Sequence, residues 1–229
     1  MIFSQQKNRL YSDLYERLAL RSFLPEQGEK IIDVCGGYGR LTDEYLDRFK
    51  TSFLFDYAPN LLEQAKSKYG EHLQVFQGSV YEMPFNSSEF DFLILIRAVH
   101  HLTDFSKAIN ETSRILKKGG SAIIEIANKR NFFEIVKWLF GRSLLHPFSF
   151  KTESIHKSGF FWYHPHFAEK IFRENGLCVK RILAVSKLGF ILPIKFLKNP
   201  LFITFIHFFQ CIFGWIRSSA SLYYLLEKR

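Results

Sequence analysis

Asp33 stands just ahead of three glycines, Gly36, Gly37 and Gly39, in the stretch IIDVCGGYGR (residues 31–40). Glycine lets a backbone pass close to a bound molecule where any side chain would intrude. A second acid, Asp56, closes the next apolar run, and two adjacent imidazoles, His100 and His101, follow a later one. Imidazoles exchange protons near neutral pH, so the pair could serve a reaction that removes a proton. The glycine spacing narrows the chemistry. From Gly37 the chain reads G-Y-G-R-L-T, which lacks the third glycine or alanine of a dinucleotide fingerprint and leaves Asp33 without a task. The Gly-Lys-Ser/Thr of a phosphate-binding loop is absent.

The elements around these residues alternate strand and helix patterns, as in a parallel sheet flanked by helices. Strands are predicted at 30–34, 52–57, 73–78, 90–98 and 121–128, and two more at 178–186 and 220–227. The spacing of Leu41, Tyr45, Leu46 and Phe49 predicts a helix directly after the glycine turn. Further helices are predicted at about 60–69, 104–116 and 165–174, the second ended by Lys117, Lys118, Gly119 and Gly120, the third by Asn175 and Gly176. In such a sheet the glycine turn lies at the carboxyl ends of the strands, where ligands bind. The expected fold is α/β, a doubly wound, Rossmann-like, mostly parallel seven-stranded sheet with helices on both faces. Helical and aromatic insertions are expected after the fifth strand and between the last two. One domain over 1–229 is expected, with a cofactor-binding half at 1–128 and acceptor-side insertions at 129–164 and 187–219.

Composition bounds the rest. Of the 229 residues, 47% are hydrophobic, enough for a large core, which excludes intrinsic disorder. Cys35, Cys178 and Cys211 are odd in number, widely spaced and without a C-x-x-C pair, which argues against a disulfide scaffold or zinc ribbon and for a reducing compartment. The first residues, MIFSQQKNRLYSDLYERL, lack the apolar run of a secretory signal, so a cytosolic location is expected. Charge is uneven. Residues 1–127 carry 15 basic and 17 acidic side chains, residues 128–229 carry 16 and 5. The basic half suits a polyanionic neighbour: an anionic membrane surface, nucleic acid or an acidic substrate.

Four segments fall in register with one family. D-V-C-G-G-Y-G (33–39) resembles the D-x-G-x-G-x-G turn of class I S-adenosylmethionine-dependent methyltransferases. FDYAPNLLEQAK (55–66), EMPFNSSEFDFLILIRAVHHLTD (82–104) and ETSRILKKGGSAII (111–124) are similar to the family's later motifs, in the family's order. The flavour is that of the small-molecule and quinone-precursor branch. The resemblance implies S-adenosylmethionine as cofactor, with Asp33, Cys35, Gly36, Gly37 and Gly39 at its methionine end. It implies Asp56 and Tyr57 at the ribose diol, since a carboxylate accepts two hydroxyl hydrogens at once. Ser79 and Val80 fall where the family contacts adenine, Arg97 and Ala98 beneath the sulfonium. Two positions depart from the pattern: Cys35 replaces the first glycine, and Ser79 replaces an acid.

His101 matches the family's position for a general base, needed only if the acceptor must lose a proton. The aromatic run FFWYHPH (160–166), with His164, His166 and nearby His156, is a candidate wall of the acceptor pocket; no histidine spacing points to a metal. The helix-like segment 200–217 is Leu, Phe, Ile and Trp apart from Thr204, His207, Gln210, Gly214 and Arg217, which recur at steps of three or four. Sixteen residues lie between Pro200 and Arg217, fewer than the roughly 20 a bilayer span needs. It could cover the pocket, form a homodimer seam, or lie in a membrane interface with Lys195 and Lys198. The expected activity is methyl transfer to a small, hydrophobic or lipid-like acceptor. An RNA or tRNA methyltransferase, or a non-catalytic cofactor-binding or interaction protein, stays open.

Overall fold

In the computed structural model, which describes residues 2–154, 159–185 and 200–229, a seven-stranded sheet is the central layer. Its strands are β1 (Gly28–Val34), β2 (Phe49–Asp56), β3 (Gln74–Gln77), β4 (Phe90–Leu95), β5 (Leu116–Ala127), β8 (Leu177–Ala184) and β9 (Ser221–Lys228). The spatial order is β3-β2-β1-β4-β5-β9-β8. The first five run parallel, and β9 inserts antiparallel between β5 and β8. β6 (Glu153–Ser154) and β7 (Phe161–Trp162) form a separate two-residue ribbon.

Helices cover both faces because the central strands are apolar on both. On one face, α1 (Ile2–Phe23), α2 (Pro59–Tyr69) and α6 (Pro200–Trp215) contribute Tyr15, Leu20, Leu62 and Ile206 to a core with Ile31, Leu54, Ile94 and Tyr223. On the other, α3 (Phe105–Ile115) and α5 (Pro165–Glu174) bury Phe105, Ile109, Ile171 and Phe172 against Ile32, Leu93 and Tyr224. The order changes direction at β1 and β4, so the loops after these two strands open on one crevice.

Two expectations need correction. After the glycine turn the chain forms two 3₁₀ turns, Thr42–Glu44 and Leu46–Arg48, and Phe49 already belongs to β2. The link must return along a seven-residue strand, a distance of about 23 Å. A 3₁₀ turn, rising ~2.0 Å per residue against ~1.5 Å for an α-helix, reaches further with so few residues. Second, α3 stops at Ile115 and β5 begins at once, so Lys117 to Gly120 are strand rather than helix stop. Gly119, at φ +77°, and Gly120, whose absent Cβ would lie 2.9 Å from the Lys117 carbonyl, carry the irregularity that resets register against β4. The polar positions of α6 are divided between inside and outside: Gln210 and Gly214 are buried, and Thr204 is exposed. Residues 187–199 of the second insertion, with Lys195 and Lys198, and His156, lie outside the described residues.

Gly214 sets how closely α6 approaches the sheet, since a Cβ there would fall 2.4 Å from the Ile182 carbonyl oxygen on β8. Gln210 Nε2 donates to the Tyr15 carbonyl of α1 at 3.0 Å, tying the helix down on its other side. Gly214→Ala should therefore lower stability by about 1–3 kcal/mol, the cost of overpacking. Thermal unfolding reads this as a lower midpoint; an unchanged midpoint would mean that α6 is not fixed by this contact.

Candidate functional site

The site starts with a backbone turn that few residue types allow. Cys35, Gly37 and Gly39 all have positive φ, at 57°, 59° and 76°. A Cβ on Gly36 would strike Leu54 at 2.4 Å and the Asp33 carboxyl at 2.8 Å, so the turn is packed down on β1 and β2. Around Gly37 there is room: the nearest atom to an added Cβ is Leu61 Cδ1 at 3.6 Å. The Gly37 N–H donates to Asp56 Oδ2 at 2.8 Å, and the Ala58 N–H donates to Asp56 Oδ1 at 2.9 Å. Each carboxylate oxygen thus accepts one backbone hydrogen and retains further acceptor capacity. Tyr57 beside it is exposed.

Asp33 is buried beneath the turn. The Tyr45 hydroxyl donates to its Oδ2 at 3.3 Å, and Tyr45 in turn shares a 3.0 Å bond with Thr42. Burial pushes the Asp33 carboxyl up to about 7, with the Asp56 charge adding; the Tyr45 bond and the Arg40 guanidinium act against this. Burial, then the charges of Asp56 and Asp33, also pushes the Cys35 thiol up to about 12, so this cysteine is no thiolate nucleophile at neutral pH.

Across the crevice, Arg97 follows β4 and also has a positive φ of 59°. Its N–H donates to Glu125 Oε2 at 2.6 Å, and the Ser221 hydroxyl donates to Glu125 Oε1 at 2.6 Å. Burial and the nearby Glu16 raise the Glu125 carboxyl, while Ser221 and Arg97 oppose. The Arg97 guanidinium faces Glu16 on α1 at 3.5 Å. Ala98 and Val80 are buried. Ser79 is exposed in a turn, its hydroxyl oxygen accepting from the Tyr81 N–H at 3.3 Å.

His100 and His101 end a 3₁₀ turn, Val99–His101. His100 stacks on Phe160 at 4.3 Å, and its burial, with His101 and Arg97 adding, brings its pKa down to about 4. His101 is exposed, 5.8 Å from the same phenyl ring in an edge contact. The Tyr163 hydroxyl donates toward the Val99 and Leu102 carbonyls, so part of the aromatic run is fixed against this loop. His164 and His166 are not in this group: His164 caps α5, accepting from the His166 N–H, and His166 pairs with Glu169.

The structure therefore gathers the glycine turn, Asp56 and Gly78, whose N–H donates to the Asp56 carbonyl, at one end of the sheet. Sequence reasoning overlooked Glu125, although it is the lone acid in the apolar strand SAIIEIAN. It also overlooked Arg40 and Glu16, paired at 2.5 Å across turn and helix. A depression lined by Phe49, Lys50, Ser52, His72 and Gln74 lies at the starts of β2 and β3, the wrong end for a ligand in this architecture.

Residues 32–124 match the family model of a methyltransferase domain. Over these residues the chain is similar to the class I S-adenosylmethionine-dependent methyltransferases. It is 27% identical over 115 residues to the demethylmenaquinone methyltransferase of Staphylococcus carnosus, covering 48% of each chain. It is 31% identical over 113 residues to an uncharacterized methyltransferase of Anoxybacillus flavithermus, covering 48% of this chain and 52% of that one. The chain spans about half the length of the curated relatives it matches. Its fold is similar to a chain of the complex between the Haloferax volcanii Trm112 methyltransferase activator and a methyltransferase. That likeness has a TM-score of 0.66 at 17% identity, covering 98% of this chain and 92% of that one. A methyltransferase domain implies S-adenosylmethionine as cofactor, and the turn fits it: an open left-handed glycine beside a carboxylate with acceptor capacity left.

A cationic ligand end at this turn favours the ionised Asp33 carboxyl and so lowers its pKa from about 7. Affinity for S-adenosylmethionine should then rise with pH up to about 7, as binding releases a proton, and level off above. Calorimetry across this range checks the slope, which Asp33→Asn should abolish; the same slope in both proteins would dissociate Asp33 from the ligand's charge.

Proposed function

We propose that this protein transfers the methyl group of S-adenosylmethionine to a small, lipophilic acceptor, in the manner of quinone-precursor methyltransferases. The observation that carries the reading is the 2.8 Å bond from the Gly37 N–H to Asp56, which joins turn and acid into one cradle. The name demethylmenaquinone methyltransferase on relatives of 25–28% identity supports a quinone-like acceptor. So does the aromatic surface of Phe160 beside His100 and His101.

When bound, the cofactor supplies an electrophilic methyl on a sulfonium, so in-line alignment and exclusion of water are the main demands on the protein. Asp56 accepts the ribose hydroxyl hydrogens while its bonds to Gly37 and Ala58 fix its orientation. Asp33, Cys35, Gly36 and Gly39 shape the turn; Tyr57, Ser79 and Val80 line the nucleoside side. Arg97 and Ala98 form the floor toward the acceptor, with Glu125 anchoring the Arg97 backbone. His101 takes the acceptor's proton on a ring nitrogen where the acceptor has one to lose. His100 does not compete, because its lowered pKa of about 4 makes it a weak base.

Asp56→Ala should weaken S-adenosylmethionine binding at least tenfold, about 1.4 kcal/mol, in calorimetry. An unchanged dissociation constant would move the ribose elsewhere. With a hydroxylated naphthoquinone as acceptor, His101→Ala should lower kcat by about 10²–10⁴ with little change in cofactor affinity. Full activity in that variant would remove the base role.

A further inference from the structure

The helix α6 leaves much of its apolar surface exposed. Gln210, 4% exposed, and Gly214 face the protein, whereas Phe208 is 57% and Trp215 77% exposed. Phe205, Phe208, Ile212 and Trp215 recur at steps of three and four, so they form one outward stripe. A second apolar surface adjoins its end. The Phe132 N–H donates to the Ser218 carbonyl at 3.0 Å, placing the start of α4 (Phe132–Leu139) beside the chain leaving α6. Phe132 and Phe133 are exposed there, and after the helix Phe140 is 74% and Leu144 82% exposed. A patch of this kind marks an interaction surface.

Charge selects the occupant. The five acids of residues 128–229 are Glu134, Glu153, Glu169, Glu174 and Glu227, and each has a cationic partner within 4 Å: Lys137, Lys129, Arg217, Lys170 and Lys180. Arg142 and Lys151, both exposed, flank the apolar side chains after α4. A second copy of this chain would bring two such basic halves together, whereas anionic headgroups complement Arg142 and Lys151. No helix among the described residues is long and apolar enough to cross a membrane, so the match is to a surface.

We propose that the exposed aromatic face of α6, with the apolar segment around α4, docks on an anionic lipid bilayer, Trp215 and Phe208 entering the interface and Arg142 and Lys151 meeting headgroups. This extends the lipophilic-acceptor reading without depending on it, since cofactor binding is measured separately.

The test is flotation of the full chain with vesicles of phosphatidylcholine alone or mixed equally with phosphatidylglycerol. The native protein should float with the anionic vesicles, less so as salt rises, and poorly with the neutral ones. The double variant Phe208→Ser, Trp215→Ser should lose roughly tenfold or more in vesicle affinity. Arg142→Glu with Lys151→Glu should lose the preference for anionic lipid. Both changes lie at exposed positions, and an unaltered S-adenosylmethionine titration in each variant shows that the fold is intact. Native protein that stays at the bottom with anionic vesicles at low salt overturns the proposal. So does a double variant that floats like the native chain. A concentration-dependent dimer in sedimentation velocity, dissolved by Phe208→Ser, Trp215→Ser, would assign the face to a second copy instead.

Discussion

The hydrogen bond from the Gly37 N–H to the Asp56 carboxylate is the constraint on which the rest of the site depends. It joins the carboxyl ends of two neighbouring parallel strands, β1 and β2, and it requires the chain to leave β1 with positive φ at Cys35, Gly37 and Gly39. Gly36 then packs on Leu54 and Asp33, and Arg40 emerges against α1, where it pairs with Asp13 and Glu16. Arg17 and Arg21 of the same helix bind Glu44, just past the turn. The first helix is thus clamped onto the glycine turn by ion pairs whose acids Glu16 and Glu44 are buried. With both buried and partnered, loss of either side would leave an uncompensated charge, the costly case.

At the crevice, left-handed backbone and buried acid occur together, although Ser88 and Arg217 share the positive φ elsewhere. Cys35 and Arg97 are non-glycine residues at positive φ, one at the end of β1 and one after β4, the two strands flanking the change of direction in the sheet. Each such conformation costs on the order of 1–3 kcal/mol and persists where the surroundings over-determine it. Asp33 and Glu125 sit in comparable settings, each buried, each raised by that burial and each hydrogen-bonded to a loop it supports. The arrangement stores stability cost at the mouth of the crevice, as expected where a ligand is to be held.

Much of this was legible in the residues. Apolar runs ending in Asp33 and Asp56, with glycine spacing between, carry the turn and the acid because both depend on local backbone rules. The 3₁₀ link was misread as a helix because Leu41 and Tyr45 are buried at helical spacing while the geometry is set by the distance the link must cover. The continuation of β5 through Gly119 and Gly120 was hidden because glycine ends helices and makes strand irregularities alike. The contacts of Glu16, Arg40 and Glu125 span 24 to 96 residues in sequence, and no local pattern announces such pairs. The direction of α6 was equally hidden: its composition shows a polar stripe, and only packing against Ile182 and Tyr15 shows that Gly214 and Gln210 face inward.

A crystal structure with S-adenosylhomocysteine, the demethylated cofactor, tests the central claim most directly. The account predicts density running from the Gly37 turn to Asp56, with the ribose hydroxyls on the carboxylate and the adenine toward Ser79 and Val80. Density bound elsewhere on the chain, or an unliganded crevice at saturating ligand, would contradict it.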